Sequence, residues 1–320
     1  MRKSIQEQIV ELKTGMNAVI LAHNYQLDSV QDLADFVGDS LELSRRAART
    51  EADLIVFCGV RFMAETASIL NPEKLVLLPD QEADCPMAQM LDPERLRALK
   101  ARHPDALVVC YVNSTAEVKA LSDVCCTSAN AAAVVGSIEP GRPIIFVPDR
   151  HLGRHVAEQT CRDLILDKGF CPTHLRIQPE HIAQVKHLHP DAEVMVHPEC
   201  LADVARMADV VTSTGGMLRH ARQSSARTII VGTEVGLLHR LRAENPDKEF
   251  IPATYAAVCP NMKRITPEKV LWALQEQKYE VKVPEEVRLP ARRALEKMLS
   301  IGTQPACTGS GRISQAPSCG

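Results

Sequence analysis

Aromatic residues and long apolar runs are scarce in this sequence. Only 3% of the 320 residues are Phe, Trp or Tyr, so a core must be built mainly from aliphatic side chains. No apolar run is long enough to cross a bilayer. The first residues, MRKSIQEQIVELK, lack the apolar centre of a secretory signal peptide. We therefore predict a cytoplasmic protein without a membrane partner.

The sequence also lacks an excess of charge of one sign. Its formal net charge is −3, and both signs are interspersed along the chain. Nucleic-acid-binding proteins usually carry a basic stripe, so we predict no nucleic-acid partner. A chain of 320 residues is long enough for two or three modest domains with their own cores.

The eleven cysteines do not form the close pairs of common metal motifs. There is no CxxC pair, which structural zinc sites use, and no CxxxCxxC run. In a long chain of cytosolic character, cysteines favour metal binding or burial over disulfides. We interpret six of them as small buried hydrophobic residues: Cys58, Cys110, Cys125, Cys126, Cys161 and Cys200.

Three other cysteines recur at a nearly constant interval. Cys85, Cys171 and Cys259 are separated by 86 and 88 residues. The same interval relates two sets of polar residues: His23, Tyr111 and His197, and Ser40, Ser128 and Thr214. We infer a triplicated unit in which each copy contributes one thiol and two polar groups to a common place.

Each copy has the pattern of alternating strands and helices. Apolar runs at 18–23, 106–111 and 192–197 suit strands that are buried on both faces, as in parallel sheets. Further strand patterns follow at 54–59, 144–149 and 228–234, with helical segments between them. The predicted fold class is α/β. It consists of three homologous three-layer αβα units around a pseudo-threefold axis, with the active site at the centre.

The repeat also predicts the domain organisation. The first unit spans 1–88 and is completed by carboxyl-terminal helices within 263–302. The second spans 89–174 and the third 175–262. We predict helices near 267–277 and 291–300. Residues 303–320 are rich in Gly, Ser and Pro, so we predict a disordered tail in which Cys307 and Cys319 are poor site candidates.

Three thiols from separate units suit a [4Fe–4S] cluster with one iron left without a protein ligand. Such an iron is a Lewis acid that helps a hydroxyl leave as water, which favours dehydration or condensation over electron transfer. The competing interpretation is that the three cysteines are ordinary core residues. We also predict that Ser40, Ser128 and Thr214 are helix N-caps, whose helix ends could bind carboxylate or phosphate groups.

Several motifs resemble one known family over residues 16–302, the quinolinate synthases of bacterial NAD biosynthesis. The motifs are LAHNYQ (21–26), VGDSLELS (37–44), DCPMAQM (84–90), CPTH (171–174), HPEC (197–200), TSTGGM (212–217) and CPNMK (259–263). The resemblance implies a pseudo-threefold fold with an oxygen-sensitive [4Fe–4S] cluster. It also implies condensation of iminoaspartate with dihydroxyacetone phosphate to quinolinate, with loss of phosphate and water.

The resemblance further implies roles for individual residues. Cys85, Cys171 and Cys259 would hold the cluster, and Tyr25, Glu199 and His23 would be catalytic. The expected substrate contacts are His23, Ser40, Tyr111, Asn113, Ser128, His174, His197, Glu199, Thr214 and Met262. L-aspartate oxidase, the usual source of iminoaspartate, is the expected functional partner. Because the intermediate is labile in water, we expect a closed cavity with the first unit as its lid.

Two other functions fit the same pattern. One is another [4Fe–4S]-dependent hydro-lyase acting on a small dicarboxylate. The other is a non-catalytic cluster or zinc protein that serves as a sensor. The sensor has no use for an acid and a base such as Glu199 and Tyr25, and only the quinolinate-forming enzyme consumes dihydroxyacetone phosphate.

Overall fold

Three parallel four-stranded sheets form the framework of the computed structural model, which describes residues 3–302. The predicted tail at 303–320, with Cys307 and Cys319, lies outside the described residues. The first sheet contains β1 (Ala18–His23), β2 (Phe36–Gly38), β3 (Leu54–Cys58) and β4 (Leu75–Leu77). The second contains β5 (Leu107–Tyr111), β6 (Val124–Cys126), β7 (Ile144–Val147) and β8 (Ile165–Leu166). The third contains β9 (Glu193–Val196), β10 (Val210–Val211), β11 (Thr228–Gly232) and β12 (Glu249–Pro252).

The three sheets share one topology, which confirms the predicted α/β fold of three repeated units. Their strand orders are β2-β1-β3-β4, β6-β5-β7-β8 and β10-β9-β11-β12. In each sheet the predicted apolar run (β1, β5 or β9) lies between two neighbours, and it is almost entirely buried because helices cover both faces.

Helices connect the strands throughout. The first unit contains α1 (Ile5–Gly15), α2 (Asp28–Gln31), α3 (Ser40–Arg49) and α4 (Arg61–Leu70). The second contains α5 (Pro93–Arg102), α6 (Ala116–Ala120), α7 (Ala131–Gly136) and α8 (Arg150–Thr160). The third contains α9 (Pro179–Leu188), α10 (Ala202–Arg206), α11 (Thr214–Gln223) and α12 (Leu237–Glu244), and α13 (Pro267–Glu276) and α14 (Glu285–Ser300) follow.

An aspartate hydrogen bond repeats in all three units. Asp35, Asp123 and Asp209 each precede the second strand of their unit. Their carboxylates accept the backbone N–H groups of Ile20, Val108 and Val194, each at 2.8 Å. The same side chain therefore fixes the register of the first two strands in every copy, which places the polar residues after those strands at equivalent positions.

The two carboxyl-terminal helices pack in different places. α13 lies on the first unit, against α1 and β3. α14 begins six residues earlier than predicted and runs through Pro290. It packs chiefly against α6 and β6 of the second unit, and it also contacts α4 of the first. Completion of the first unit by these helices stays a prediction. The boundaries after residues 88, 174 and 262 stay predictions.

Burial of the six remaining cysteines follows the prediction with one exception. Cys58, Cys110, Cys125, Cys126 and Cys200 are buried, whereas Cys161 is exposed because it ends α8 in a left-handed conformation at the surface. Among residues 3–302, no helix combines the length and the apolar character needed to cross a membrane.

Candidate active site

One cavity collects residues from all three units where their central strands end. The space between its walls that protein atoms leave free is about 610 Å³, including the part that is open to solvent. Its lining includes every residue selected from the sequence: His23, Tyr25, Ser40, Cys85, Tyr111, Asn113, Ser128, Cys171, His174, His197, Glu199, Thr214, Cys259 and Met262. The carboxyl ends of parallel strands are where ligands bind in such sheets. The structure thus brings the whole set together, while the role of each residue stays a prediction.

The hydroxyl residues are not the helix caps that we predicted. Asp39 caps α3 by accepting from the backbone N–H groups of Leu41 and Glu42, and Ser213 caps α11. Ser40 and Thr214 are instead the first residues of those helices.

The third hydroxyl also lies outside the cap position, since Asn130 holds the N-cap position of α7. Ser128 precedes it by two residues, and its Oγ lies 3.2 Å from Nε2 of His197. Because neighbouring residues hold the cap positions, all three hydroxyl residues are left to line the cavity.

Each of the three site cysteines begins the same turn. A proline follows Cys85, Cys171 and Cys259, and a short 3₁₀ helix starts three residues after each cysteine, at Ala88–Met90, His174–Arg176 and Met262–Arg264. The backbone N–H at the start of each 3₁₀ helix donates to the cysteine sulfur. This donor favours the thiolate form, which is the form that binds metals.

The strand-to-helix loop after the third strand of each unit holds the cysteine turn. The backbone carbonyl two residues before each cysteine accepts an N–H from that loop. The three bonds are Arg61 to Ala83 at 2.8 Å, Arg150 to Gly169 at 2.9 Å and Val235 to Ala257 at 3.0 Å.

Two of the three loops add a buried carboxylate that the sequence analysis missed. Glu234 Oε1 accepts the backbone N–H of Cys259 at 3.1 Å. Asp149 likewise accepts the backbone N–H of Cys171. The available signal was an acidic residue directly after a buried strand, in VPD and VGTE.

The thiols lie in a dry environment that penalises their charged form. Burial raises the pKa of Cys85 to about 12, and it also raises the pKa of Cys171 and Cys259. Cys85 is close enough to both other thiols for the charges to repel. Three thiolates here would therefore need a bound cation as their partner.

Glu199 lies at the centre of the polar half of the cavity. Its Oε2 is 2.7 Å from Nδ1 of His174, which in turn is 3.2 Å from the sulfur of Cys171. Its Oε1 accepts a long hydrogen bond of 3.5 Å from Asn113. The ligand atoms of Cys171, His174 and Glu199 lie within 4.8 Å of one another, a grouping that could also hold a single metal ion.

The acid–base character of the cavity follows from burial and from these neighbours. Burial disfavours the carboxylate of Glu199, but its electrostatic interactions with His174 and His197 and a hydrogen bond from His174 outweigh this effect, so its pKa lies at about 2. Burial lowers the pKa of His23 and of His197 to about 3. Both rings accept a backbone N–H at Nδ1, as neutral rings can. Burial, followed by the charge of Glu199, raises the pKa of Tyr25 and Tyr111 well above 10.

Comparison with known proteins identifies the family. The family model described as "Quinolinate synthetase A protein" matches residues 7–300. The chain belongs to this family. A relative named quinolinate synthase from Dehalococcoides mccartyi (strain CBDB1) is 54% identical over 300 residues, covering 94% of this chain and 99% of that protein. A protein of the same name from Thermodesulfovibrio yellowstonii is 55% identical over 299 residues, covering 92% of this chain and 97% of that protein. Another, from Thermus thermophilus, is 54% identical over 308 residues, covering 94% of this chain and 98% of that protein.

Two further residues of this quinolinate synthetase A family member contact the site and were missed. The Thr233 hydroxyl lies 2.6 Å from the phenol oxygen of Tyr25 and 2.8 Å from Nε2 of His174. Lys263 donates to the backbone carbonyl of Tyr25 at 2.5 Å and pairs with Glu234 at 3.0 Å. Neither belongs to a series that repeats in all three units, so the interval of 86 to 88 residues could not reveal them.

Proposed function

We propose that this chain is a quinolinate synthase that condenses iminoaspartate with dihydroxyacetone phosphate, releasing phosphate and water. The observation that carries the proposal is the single cavity that is lined by three thiols, one from each unit, together with Glu199, Tyr25 and the three hydroxyls. Family membership supports it, because the relatives are named for this product.

We propose that Cys85, Cys171 and Cys259 hold a [4Fe–4S] cluster. The donor set fits: three thiols line one cavity, Cys85 lies close to both of the others, and each sulfur receives a backbone N–H. Among the described residues, the cavity lining contains no fourth cysteine. When bound, such a cluster supplies one iron without a protein ligand, a Lewis acid suited to the loss of a hydroxyl as water.

The residues opposite the thiols are suited to bind an anionic substrate. Ser40, Ser128 and Thr214 offer hydroxyls from three units, and the neutral rings of His23 and His197 offer further hydrogen bonds. Uncharged donors in a buried cavity bind carboxylate or phosphate oxygens without adding a buried positive charge of their own.

Glu199 and Tyr25 are the proposed proton-transfer groups, with His23 beside them. Glu199 remains ionised because its pKa is about 2, so it can accept a proton from substrate carbon or nitrogen. Tyr25 keeps its proton because its pKa is raised well above 10, so it can donate to a leaving oxygen. His23 packs edge-on against Tyr25, with ring centroids 4.6 Å apart, and limits where the phenol can point.

The direct test is an anaerobic assay with iminoaspartate and dihydroxyacetone phosphate. We expect one quinolinate and one phosphate for each dihydroxyacetone phosphate consumed. Glu199→Ala should retain iron and sulfide but lose turnover, because it removes the base and leaves the thiols in place. An active Glu199→Ala protein would remove Glu199 from the catalytic role.

The same assay separates the two alternative functions. Dehydration of a dicarboxylate without consumption of dihydroxyacetone phosphate would indicate the hydro-lyase. Absence of any turnover in a protein loaded with metal would indicate the sensor. Supplying iminoaspartate from aspartate with L-aspartate oxidase should sustain turnover, since that enzyme is the proposed functional partner.

A further inference from the structure

We propose that Thr233 is a positioning residue that aligns the two proton-transfer groups, Tyr25 and Glu199, through His174. The inference rests on the proposed function for the meaning of that alignment. Thr233 follows β11 of the third unit, is 1% exposed, and lies between side chains of the first and second units.

The contacts form a continuous chain. The Thr233 Oγ1 lies 2.6 Å from the Tyr25 phenol oxygen and 2.8 Å from Nε2 of His174. On the other side of the same ring, Nδ1 lies 2.7 Å from Oε2 of Glu199. The direct distance from the Tyr25 oxygen to His174 Nε2 is 3.4 Å, which is long for an O–H···N hydrogen bond. The threonine hydroxyl therefore bridges groups that do not bond well by themselves.

Hydrogen-bond chemistry explains why a hydroxyl is needed at this position. An ionised carboxylate only accepts, so Nδ1 of His174 must carry a proton toward Glu199. Nε2 and the phenol oxygen are then left facing each other, and a hydroxyl can donate to one while it accepts from the other. Without it, two buried polar atoms lose their partner, which is unfavourable because neither can turn to water.

As a consequence, Thr233 of the third unit fixes the direction of the Tyr25 phenol, which belongs to the first unit. Tyr25 belongs to the first unit, His174 to the second and Glu199 to the third. One hydroxyl therefore fixes the phenol direction and the ring orientation together, and the ring orientation fixes the carboxylate. A misplacement of about 1 Å at such groups can reduce a rate about 100-fold.

The experiment compares two substitutions at the same position. Thr233→Val keeps the shape and removes the hydroxyl, whereas Thr233→Ser keeps the hydroxyl. Thr160→Val is the matched control, because that hydroxyl bonds only to the carbonyl of Val156 in its own helix. Each protein is assayed for kcat, KM for dihydroxyacetone phosphate, and iron and sulfide content.

We expect kcat of Thr233→Val to fall by about 100-fold, with KM changed less than about threefold and with wild-type iron and sulfide. Thr233→Ser should recover to within about tenfold of wild type, and Thr160→Val should match wild type. Adding Thr233→Val to Tyr25→Phe should cause a further loss of much less than about 100-fold, since the phenol that Thr233 aligns is already absent. A wild-type kcat in Thr233→Val would overturn the proposal, and so would loss of iron and sulfide from that variant. If Thr233→Val fails to fold, a Thr233→Ser protein that is no more active than Thr233→Val would overturn it as well.

A readout that needs no turnover separates this inference from the proposed function. In the full chain without its cluster, ring ¹⁵N resonances of histidine report which nitrogen carries the proton. We expect the His174 Nε2 resonance to shift in Thr233→Val and to remain near the wild-type position in Thr233→Ser. Unchanged resonances in Thr233→Val would overturn the positioning role even if the wild type makes quinolinate. A wild type that makes no quinolinate, but shows the shift, would overturn the function alone.

Discussion

The first unit meets its two neighbours through two contrasting interfaces, each with one lysine that crosses to a backbone carbonyl. In what we call the second-unit interface, Lys119 of α6 donates to the carbonyl of Phe62 at 3.1 Å and to the hydroxyl of Thr66 at 3.0 Å, both in α4. In the third-unit interface, Lys263 donates to the carbonyl of Tyr25. Phe62 and Tyr25 both line the cavity, so each lysine fixes one side of the site.

The second-unit interface is dry. Lys119 is fully buried, and burial lowers the pKa of its ammonium group. In return, Glu65 of α4 accepts the backbone N–H of Ala116 at the start of α6. α14 packs across both helices, so it covers this interface with a third helix.

The third-unit interface is polar. Arg240 donates to the carbonyl of Val37 at 2.6 Å, Asn24 donates to the hydroxyl of Thr214 at 2.9 Å, and His239 contacts Asp32 at 2.7 Å. Exchange of such bonds with water is far less costly than exposure of an apolar core. If the first unit acts as the expected lid, we expect it to open at the third-unit interface and stay attached at the second.

The largest expected loss of stability comes from replacing Lys263, the lysine of the polar third-unit interface. Lys263→Met leaves Glu234, which is 0% exposed, without its cation. We expect a loss of about 3 kcal/mol in the free energy of unfolding, because an unpaired buried charge is costly. Urea unfolding of the cluster-free protein measures it.

A double substitution tests the reason for that loss. Adding Glu234→Gln to Lys263→Met should recover most of the stability, since no buried charge remains and the amide oxygen can still accept the N–H of Cys259. A double variant as unstable as Lys263→Met would show that packing, rather than the charge, controls this interface. Lys278→Met is the control, because that lysine pairs with Glu276 at the exposed surface.

Acid should lower the free energy of unfolding through two buried histidines of the first and third units. His23 in the first unit and His197 in the third have pKa values of about 3, below the 6.5 of an unfolded chain, so the unfolded state binds protons first. Stability should therefore be full above about pH 6.5 and fall toward pH 3, by up to about 1.4 kcal/mol per pH unit for each histidine.

The second unit carries Tyr111 at the equivalent position, so this position contributes a histidine only in the first and third units. His197→Asn should reduce the slope of the unfolding free energy between about pH 6.5 and about pH 5. An unchanged slope would contradict the burial of a neutral ring at this position.

The smallest effect should come from the lysine of the dry interface. Lys119→Met removes an ammonium that was costly to bury, and Met fills similar space, so the change should be about 1 kcal/mol or less. Lys119 donates to a carbonyl and a hydroxyl, which are neutral groups, whereas Lys263 forms an ion pair with buried Glu234. A loss as large as that of Lys263→Met would remove the proposed difference between the interfaces.

Much of the architecture could be predicted from the sequence because repetition fixes it. Strands buried on both faces have continuous apolar runs. The interval of 86 to 88 residues related the three cysteines, which lie in equivalent turns, and His23, Tyr111 and His197, which lie at equivalent strand ends. The hydroxyl residues were misplaced by one position in α3 and α11, because both the cap and the first helical residue are polar there.

The parts that break the repeat could not be predicted in the same way. At the position of Thr233 in the third unit, the first and second units have Gly59 and Pro148. Lys263 has a neutral counterpart in both other copies, Gln89 and Leu175. Such residues act across interfaces between units, and the partner of a side chain across an interface is set by tertiary packing rather than by local pattern.

The most direct test of the central claim is the iron and acid-labile sulfide content per chain, measured anaerobically for wild type and Cys85→Ser. The three-thiol site predicts about four of each in wild type and a sharp reduction in the variant. Zinc without sulfide, or equal content in the two proteins, would contradict the claim that the three repeated cysteines hold one cluster.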